Sequence, residues 1–308
     1  MLAALLQYGI HTGGASGAAL WMGERDAMET SAQAQKAESR SQNAESQGRD
    51  TSPFAYAEKV RQDLFASFSS GVVAKNAKTV AIILAGGSGQ RFGNAGGKQL
   101  VEIAGRPMLS WSIAAFDAVD DIGQIVVVCP PSRAAEYRHA AIDPFDFVTP
   151  IVMAPSGGTR QESAFSGLEY ADEAFEFVAM HDGARPLIAP EVISHTINTL
   201  KGSYDADGAV VATPAVDTLK IVDKGVIVGT PDRSVFWNVQ TPQVFRSGVY
   251  RRAQAAAMSE GFMGTDDASL IERLGGKVLV VEGKRDNIKL TLPEDFFMMS
   301  AIVDTAKA

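Results

Sequence analysis

Cysteine is almost missing from this chain of 308 residues; the one present is Cys129. A single cysteine closes no internal disulfide, so a reducing, cytoplasmic setting is expected. Cys129 ends the apolar run Ile125-Val126-Val127-Val128-Cys129, which suits a small buried hydrophobe and not a nucleophile. Positive charge is also short: 28 Lys and Arg stand against 36 Asp and Glu, a formal net charge of −8. Nucleic-acid binders carry a basic footprint, so that class is set aside, and functional cations must be local features on an acidic background. No run of about 20 apolar residues occurs, so no membrane span is expected. The G-x-S-x-G elbow and any reactive-cysteine setting are lacking too, which removes the common covalent routes.

Residues 1–78 read as an N-terminal extension. The apolar start, Met1 to Leu6, lacks the basic flank and clean apolar stretch of a signal peptide. Glu24 to Ser52 contains no aromatic or branched aliphatic residue. Such a stretch buries too little to offset ordering, so a disordered linker is expected. Phe54, Tyr56, Val60, Leu64, Phe65 and Phe68 fall partly at helical spacing, predicting a short helix that caps the domain or serves a partner.

The chemistry begins at Thr79. An apolar run, Val80 to Leu84, stops at Ala85-Gly86-Gly87-Ser88-Gly89-Gln90-Arg91, and Lys98 follows seven residues after Arg91. A G-x-G-x-x-G fingerprint fails because Arg91 and Phe92 stand where the pattern needs its last steps; a G-x-x-x-x-G-K-[ST] loop fails because Gln99 follows Lys98. What remains is a glycine loop whose freed N–H groups face an anion while Arg and Lys neutralise it. Alone it indicates a nucleotide or sugar phosphate.

Beyond the loop, short apolar runs alternate with helical patterns. Candidate strands are Val80–Leu84, Gln124–Cys129, Pro150–Ala154, Phe177–His181, Ala209–Ala212 and Lys277–Glu282. Candidate helices are Met108–Ala118, Arg133–Ala141, Gln161–Tyr170, Pro190–Leu200 and Gly248–Met258, with another at the C-terminus. Such alternation predicts an α/β, Rossmann-like, mostly parallel sheet with helices on both faces over residues 79–308. Ligands of such sheets lie beyond the carboxyl ends of the strands, where Ser156-Gly157-Gly158-Thr159-Arg160 and His181-Asp182-Gly183-Ala184-Arg185 fall. Residues 214–236 break the rhythm. Apolar and polar residues alternate there about Asp223-Lys224-Gly225, predicting a projecting β-hairpin arm, and a homodimer partner is the economical cover for it.

Read in order, these segments resemble the 2-C-methyl-D-erythritol 4-phosphate cytidylyltransferases over about Thr79 to Val303. The residues that carry the likeness are the glycine loop with Lys98-Gln99, then Gly157 to Ser163, then His181 to Pro186, then Asp217-Thr218 and Arg233. Gln240-Thr241-Pro242-Gln243, Thr265-Asp266-Asp267-Ala268 and Asp286-Asn287-Ile288-Lys289-Leu290-Thr291 complete it. The resemblance implies transfer of a cytidylyl group from CTP to a polyol phosphate with release of pyrophosphate, without a covalent enzyme intermediate. It implies Mg²⁺, or another divalent cation, held largely by triphosphate oxygens, with no protein ligand identified. It marks Arg91, Lys98, Arg233 and Lys289 as catalytic. Ala85, Gly86, Gly87, Ser88, Gly89, Gly157, Gly158, Ser163, Asp182 and Gly183 become CTP contacts. Thr218, Arg233 and Lys289 become contacts to the polyol phosphate, with Thr218 and Arg233 crossing on the arm to the partner's site. Arg185 is read as structural, His181 as a strand-end histidine and not a base, and Asp286 as orienting Lys289 or neutralising Arg285. Lys289 sits in a strand-like stretch between Ile288 and Leu290. Ribitol 5-phosphate cytidylyltransferases share nearly all these motifs. A nucleotide-binding module without catalysis is the alternative outside the enzymes, and the four cations speak against it.

Overall fold

The computed structural model describes residues 76–87, 89 and 97–305. The disordered linker and helix expected before residue 76 lie outside the described residues, as do Ser88, Gln90 and Arg91 of the glycine loop.

Strand β1 (Thr79–Leu84) is buried along its whole length, as a central parallel strand must be. Its residues alternate between the two faces of the sheet. Ala81 and Ile83 pack with Leu109, Ile113 and Phe116 of α1 (Met108–Asp117), Tyr137 of α2 (Ala134–Ala141) and Ile193 and Ile197 of α4 (Pro190–Lys201). Val80 and Ile82 join a second cluster with Ala164 and Leu168 of α3 (Arg160–Glu169), Tyr250 of α5 (Ser247–Ser259) and Ile271 of α6 (Ala268–Arg273). Helices thus cover both faces, as the alternation in sequence predicts.

On one side β1 pairs in parallel with β4 (Ile122–Cys129), and β4 with β5 (Ile151–Pro155). On the other it pairs in parallel with β6 (Phe177–Asp182). Next comes β10 (Trp237–Arg246), antiparallel to β6 and to β7 (Gly208–Pro214), and β11 (Val278–Glu282) closes that side in parallel with β7. The seven-stranded order is β11-β7-β10-β6-β1-β4-β5.

The strand reading gave no element to residues 237–246, where Pro242 argues against a central strand. The chain accommodates that proline with a bulge: against β7, Val239 faces Ala212 and Gln243 faces Val210, so three residues of β10 oppose one. A bulge redirects side chains, and this one lies beside the carboxyl end of β6. A two-residue pairing of β2 (Glu102–Ile103) with β3 (Arg106–Pro107) also went unread, being too short for a periodic pattern. The strand-like stretch about Lys289 forms no strand: Leu290 N–H donates to Ala184 C=O at 2.9 Å, no ladder follows, and Ile288 and Leu290 pack under α7 (Pro293–Thr305).

The hairpin arm forms from β8 (Ile221–Asp223) and β9 (Val226–Gly229). Lys224 and Gly225 turn the corner with φ of 47° and 83°, the left-handed pair that a tight primed turn requires. Ile221, Val222, Val226, Ile227 and Val228 are all exposed.

Candidate active site

The loops singled out in sequence meet at one edge because the parallel strands end level. Leu84 faces Val128 on one side and Asp182 on the other, and Cys129 faces Pro155. Main-chain bonds carry the alignment past the strands. Ala85 N–H donates to Val128 C=O at 2.7 Å, Gly183 N–H to Leu84 C=O at 2.9 Å, and Ser156 N–H to Cys129 C=O at 2.8 Å. Gly86 lies so near Ser156 that a Cβ there would overlap the serine Cβ. From below, Gln99 Nε2–H donates to Gly87 C=O at 3.4 Å and Gln99 Oε1 accepts from Tyr137 O–H at 3.3 Å, both side chains being buried. The described glycine next in the loop, Gly89, has a φ of 68°.

The second loop is shaped by a capping box. Thr159 Oγ1 accepts from Glu162 N–H at 3.1 Å, and Glu162 returns its carboxylate to the N–H groups of Thr159 (3.1 Å) and Gly158 (2.7 Å). Ser163 Oγ accepts from Gly157 N–H at 3.0 Å and donates to Thr159 C=O at 2.8 Å. These bonds fix the shape of the loop that follows Ser156, the residue against Gly86.

Charge concentrates at the end of β6. Asp182 is buried, and three cations converge on its carboxylate: Lys289 Nζ at 2.8 Å, Arg160 Nε at 3.4 Å and Arg185 Nε at 3.7 Å. Burial alone would raise this carboxyl; attraction from Arg160, Lys289 and Arg185 wins, and holds it well below the usual carboxylate range. Arg160 is also paired with buried Asp267 at 2.8 Å, and Asp267 in turn accepts from Tyr250 O–H at 2.6 Å. Burial works against the Arg160 charge, but Asp267 and Asp182 outweigh it and raise its pKa. Lys98 Nζ donates to the C=O of Leu290, the residue after Lys289. Two lysines 191 positions apart are thereby brought to one place.

The cluster corrects one expectation and supplies what another lacked. Asp286 does not orient Lys289; Asp182 does, while Asp286 is half-buried with its carboxyl raised by desolvation against the pull of Lys284. Arg160 had no assigned role in the sequence reading. A cation in the first turn of a helix opposes the helix dipole, and that conflict was the available signal that carboxylates hold it. Arg185 Nη1 donates to Asn287 C=O at 2.7 Å and so ties the loop carrying Lys289 to the one after β6. His181 is fully buried, and burial lowers its pKa to about 3, so it stays neutral. Burial likewise pushes the Cys129 thiol up to about 11.

The structure therefore gathers Ala85, Gly86, Gly87, Lys98, Gly157, Gly158, Ser163, Asp182, Gly183 and Lys289 at the strand ends. Arg91 and Ser88 lie outside the described residues. Thr218 and Arg233 stand apart on the exposed arm, where Arg233 Nη1 donates to Val216 C=O at 2.7 Å. Among the described residues neither bonds to the strand-end cluster. No group of three His, Cys, Asp or Glu side chains suited to a metal occurs among the described residues. The carboxylate at the edge, Asp182, is engaged by cations. Such a donor set fits a divalent ion carried by phosphate oxygens rather than a cage of protein ligands.

Comparison with known proteins agrees over the whole described domain. Residues 79–305 match the family model described as IspD, 2-C-methyl-D-erythritol 4-phosphate cytidylyltransferase. Curated proteins of that name from Syntrophotalea carbinolica and Caldanaerobacter subterraneus are 43% and 41% identical. They align with 73% and 70% of this chain and 95% and 94% of their own lengths. The crystal structure of 4-diphosphocytidyl-2C-methyl-D-erythritol synthase from Anaerococcus prevotii superposes with a TM-score of 0.65 at 31% identity, covering 73% of this chain and 98% of that one. A family model matching residues 79–305, near-complete coverage of the relatives and a shared fold leave one assignment: this chain belongs to the 2-C-methyl-D-erythritol 4-phosphate cytidylyltransferase family.

Proposed function

We propose that the protein transfers CMP from CTP to 2-C-methyl-D-erythritol 4-phosphate. A phosphate oxygen of the polyol attacks the α-phosphorus of CTP, the bond to the β-phosphate oxygen breaks, and 4-diphosphocytidyl-2-C-methyl-D-erythritol and pyrophosphate are formed. The observation that carries this reading is the meeting of Lys98 and Lys289 at the carboxyl edge of the sheet, beside the glycine loop.

Two anions that repel one another must be held in line, so most of the catalysis is positioning and charge stabilisation. The main-chain N–H groups of the loop Ala85–Gly89 cradle the triphosphate. Lys98 and Arg91 neutralise charge that moves onto the departing pyrophosphate. Gly157, Gly158 and Ser163 read the cytosine edge, and Asp182 with Gly183 meets the ribose. Lys289, held on Asp182 until substrate arrives, turns to the polyol phosphate. Asp182 is the buried member of the pair, and the partly exposed ammonium offsets its charge before binding. When bound on the triphosphate oxygens, a divalent ion, magnesium in this reading, would supply further charge neutralisation.

The arm extends the reading to a homodimer in which Arg233 and Thr218 of one subunit complete the other's site. Its exposed apolar side chains support this. The buried lone thiol of Cys129 supports a reducing, cytoplasmic setting. Purified protein supplied with CTP, Mg²⁺ and either polyol phosphate tests the proposal through pyrophosphate release. Turnover with 2-C-methyl-D-erythritol 4-phosphate is expected. Preference for ribitol 5-phosphate, or CTP binding without turnover of either, overturns it.

A further inference from the structure

We propose that Tyr250 is a positioning residue which, through Asp267, keeps Arg160 on Asp182 as the cation that remains when Lys289 turns to the polyol phosphate. This rests on the function proposed above and extends it to a side chain buried under α5, away from the strand ends.

Tyr250 is fully buried, and its ring stacks on Phe245 of β10 with centroids 5.0 Å apart. Its hydroxyl has one proton to give. A carboxylate only accepts, so that proton goes to Asp267 Oδ1, 2.6 Å away. The phenolic oxygen accepts in turn from Gln254 Nε2–H, one turn along α5, at 2.6 Å. Burial and the Asp267 charge raise the phenol well above its ordinary pKa, so the proton stays. The other oxygen of Asp267 lies 2.8 Å from Arg160 Nη1, and Nε of the same guanidinium lies 3.4 Å from Asp182 Oδ1. Lys289 meets the second oxygen of Asp182, Oδ2, at 2.8 Å, with Arg185 Nε 3.7 Å from that atom.

Asp182 therefore has a different cation on each oxygen. When Lys289 leaves for the phosphate, this buried carboxylate loses the cation at 2.8 Å. A buried charge stripped of its partner is costly, so the departure is feasible only if another cation stays. Arg185 Nη1 is committed to Asn287 C=O at 2.7 Å. Arg160 is placed to stay, because its guanidinium spans two carboxylates. The phenolic hydroxyl makes that span possible: it answers part of the charge of Asp267, itself buried, which would otherwise draw the guanidinium wholly to itself. Phenylalanine at 250 keeps the ring stack and removes only the hydroxyl. Asp267 then pulls harder on Arg160, the contact with Asp182 lengthens, and Lys289 is held more firmly where it waits. The glycine loop and the cytosine loop keep their own supports.

Steady-state kinetics of Tyr250→Phe, with each substrate varied in turn, tests the role. The kcat/KM for the polyol phosphate falls about tenfold, the usual cost of losing one hydrogen bond to a charged group, and the KM for CTP changes by no more than about twofold. In a Lys289→Ala background the same substitution changes the residual kcat/KM by less than about twofold, because no lysine is left to release. Equal change for both substrates, or the same loss in both backgrounds, marks a packing role and overturns the proposal. A phenylalanine variant that matches the unmodified protein overturns it too. If Tyr250→Phe does not fold, the crystal structure of the unmodified protein with 2-C-methyl-D-erythritol 4-phosphate decides. Lys289 on the phosphate, with Arg160 within about 3.2 Å of Asp182, is expected; Lys289 still on Asp182, or Arg160 withdrawn from it, overturns the proposal. If the unmodified protein turns over no methylerythritol phosphate, the proposed function fails by itself. The Arg160–Asp182 separation in crystals of Tyr250→Phe, longer than 3.4 Å if the tyrosine holds it, then still decides the positioning.

Discussion

The strand-end cluster and the arm carry opposite imbalances. At the strand ends, charged groups are buried: Asp182 is 8% exposed and is met by three cations, with Asp267 held by Arg160 and Tyr250 behind it. On the arm, apolar groups are exposed: Val226 is 64% and Val235 74% open. The cluster answers its own imbalance within the subunit, since each buried charge has an opposite charge beside it. Among the described residues the arm has no such answer, and Arg233 beside it donates to Val216 C=O. The difference separates what one chain completes from what a second copy is proposed to supply.

The comparison is broken most strongly at the cluster. Lys289→Ala removes one cation from Asp182, and the kcat/KM for the polyol phosphate falls by about 10²–10³, the usual cost of losing one charge-stabilising donor. CTP affinity, measured by titration, changes little. A parallel loss of both would show that Lys289 does not divide the substrates as assigned.

The arm is next. Ile227→Asp combined with Val228→Asp places charge on both exposed apolar faces of the hairpin, so sedimentation shows monomer and activity drops at least about tenfold, as expected for a symmetric assembly whose partner completes the site. Mixed Arg91→Ala and Arg233→Ala subunits recover part of the lost activity. Recovery requires each site to draw Arg91 from one subunit and Arg233 from the other; none, with subunit exchange demonstrated, would mean that both residues of a site come from the same subunit.

A smaller effect is expected at Gly86→Ala. The added Cβ overlaps Ser156, and forced separation of the two loops costs about 1–3 kcal/mol in stability. The KM for CTP rises while that for the polyol phosphate is nearly unchanged, sharpening the contrast with Lys289.

The last test is by pH. His181 has its pKa lowered by burial from 6.5 to about 3. As pH falls through about 6.5 the unfolded chain takes the proton first, so stability present above that pH is progressively lost toward pH 3, by at most about 1.4 kcal/mol per unit from this group. Asp182, whose carboxyl is lowered by its cations against the effect of burial, adds loss of the same sign below its ordinary value of 3.8. Denaturant midpoints at descending pH should fall, and His181→Gln should flatten the slope between pH 6.5 and 4. An unchanged slope would remove His181 as the cause.

Much of the fold was legible because its signals are local. Val80 to Leu84 is apolar without interruption, as a strand covered on both faces must be, and the helical spacings about Ile193 and Ile197 mark a single buried face. Pro242 hid β10, since a bulge can be recognised only against the partner strand that defines it. Lys289 shows the same limit in the site. The alternation of Ile288, Lys289 and Leu290 indicated which side chain turns outward, but the ladder it suggested does not form, and the partner is Asp182, 107 residues away, not Asp286.

The residue types themselves settled the α/β alternation, the glycine loop, the cations, the acidic background and the hairpin turn, because each depends on backbone freedom, side-chain charge or periodicity over a few neighbouring positions. Tertiary structure alone decided that Lys98 meets Leu290, that Asp182 gathers Arg160, Arg185 and Lys289, and that Thr241 joins His181 to the Asp182 amide. Those pairings depend on which strand ends are level and where a bulge falls. Distance along the chain carries no information about either.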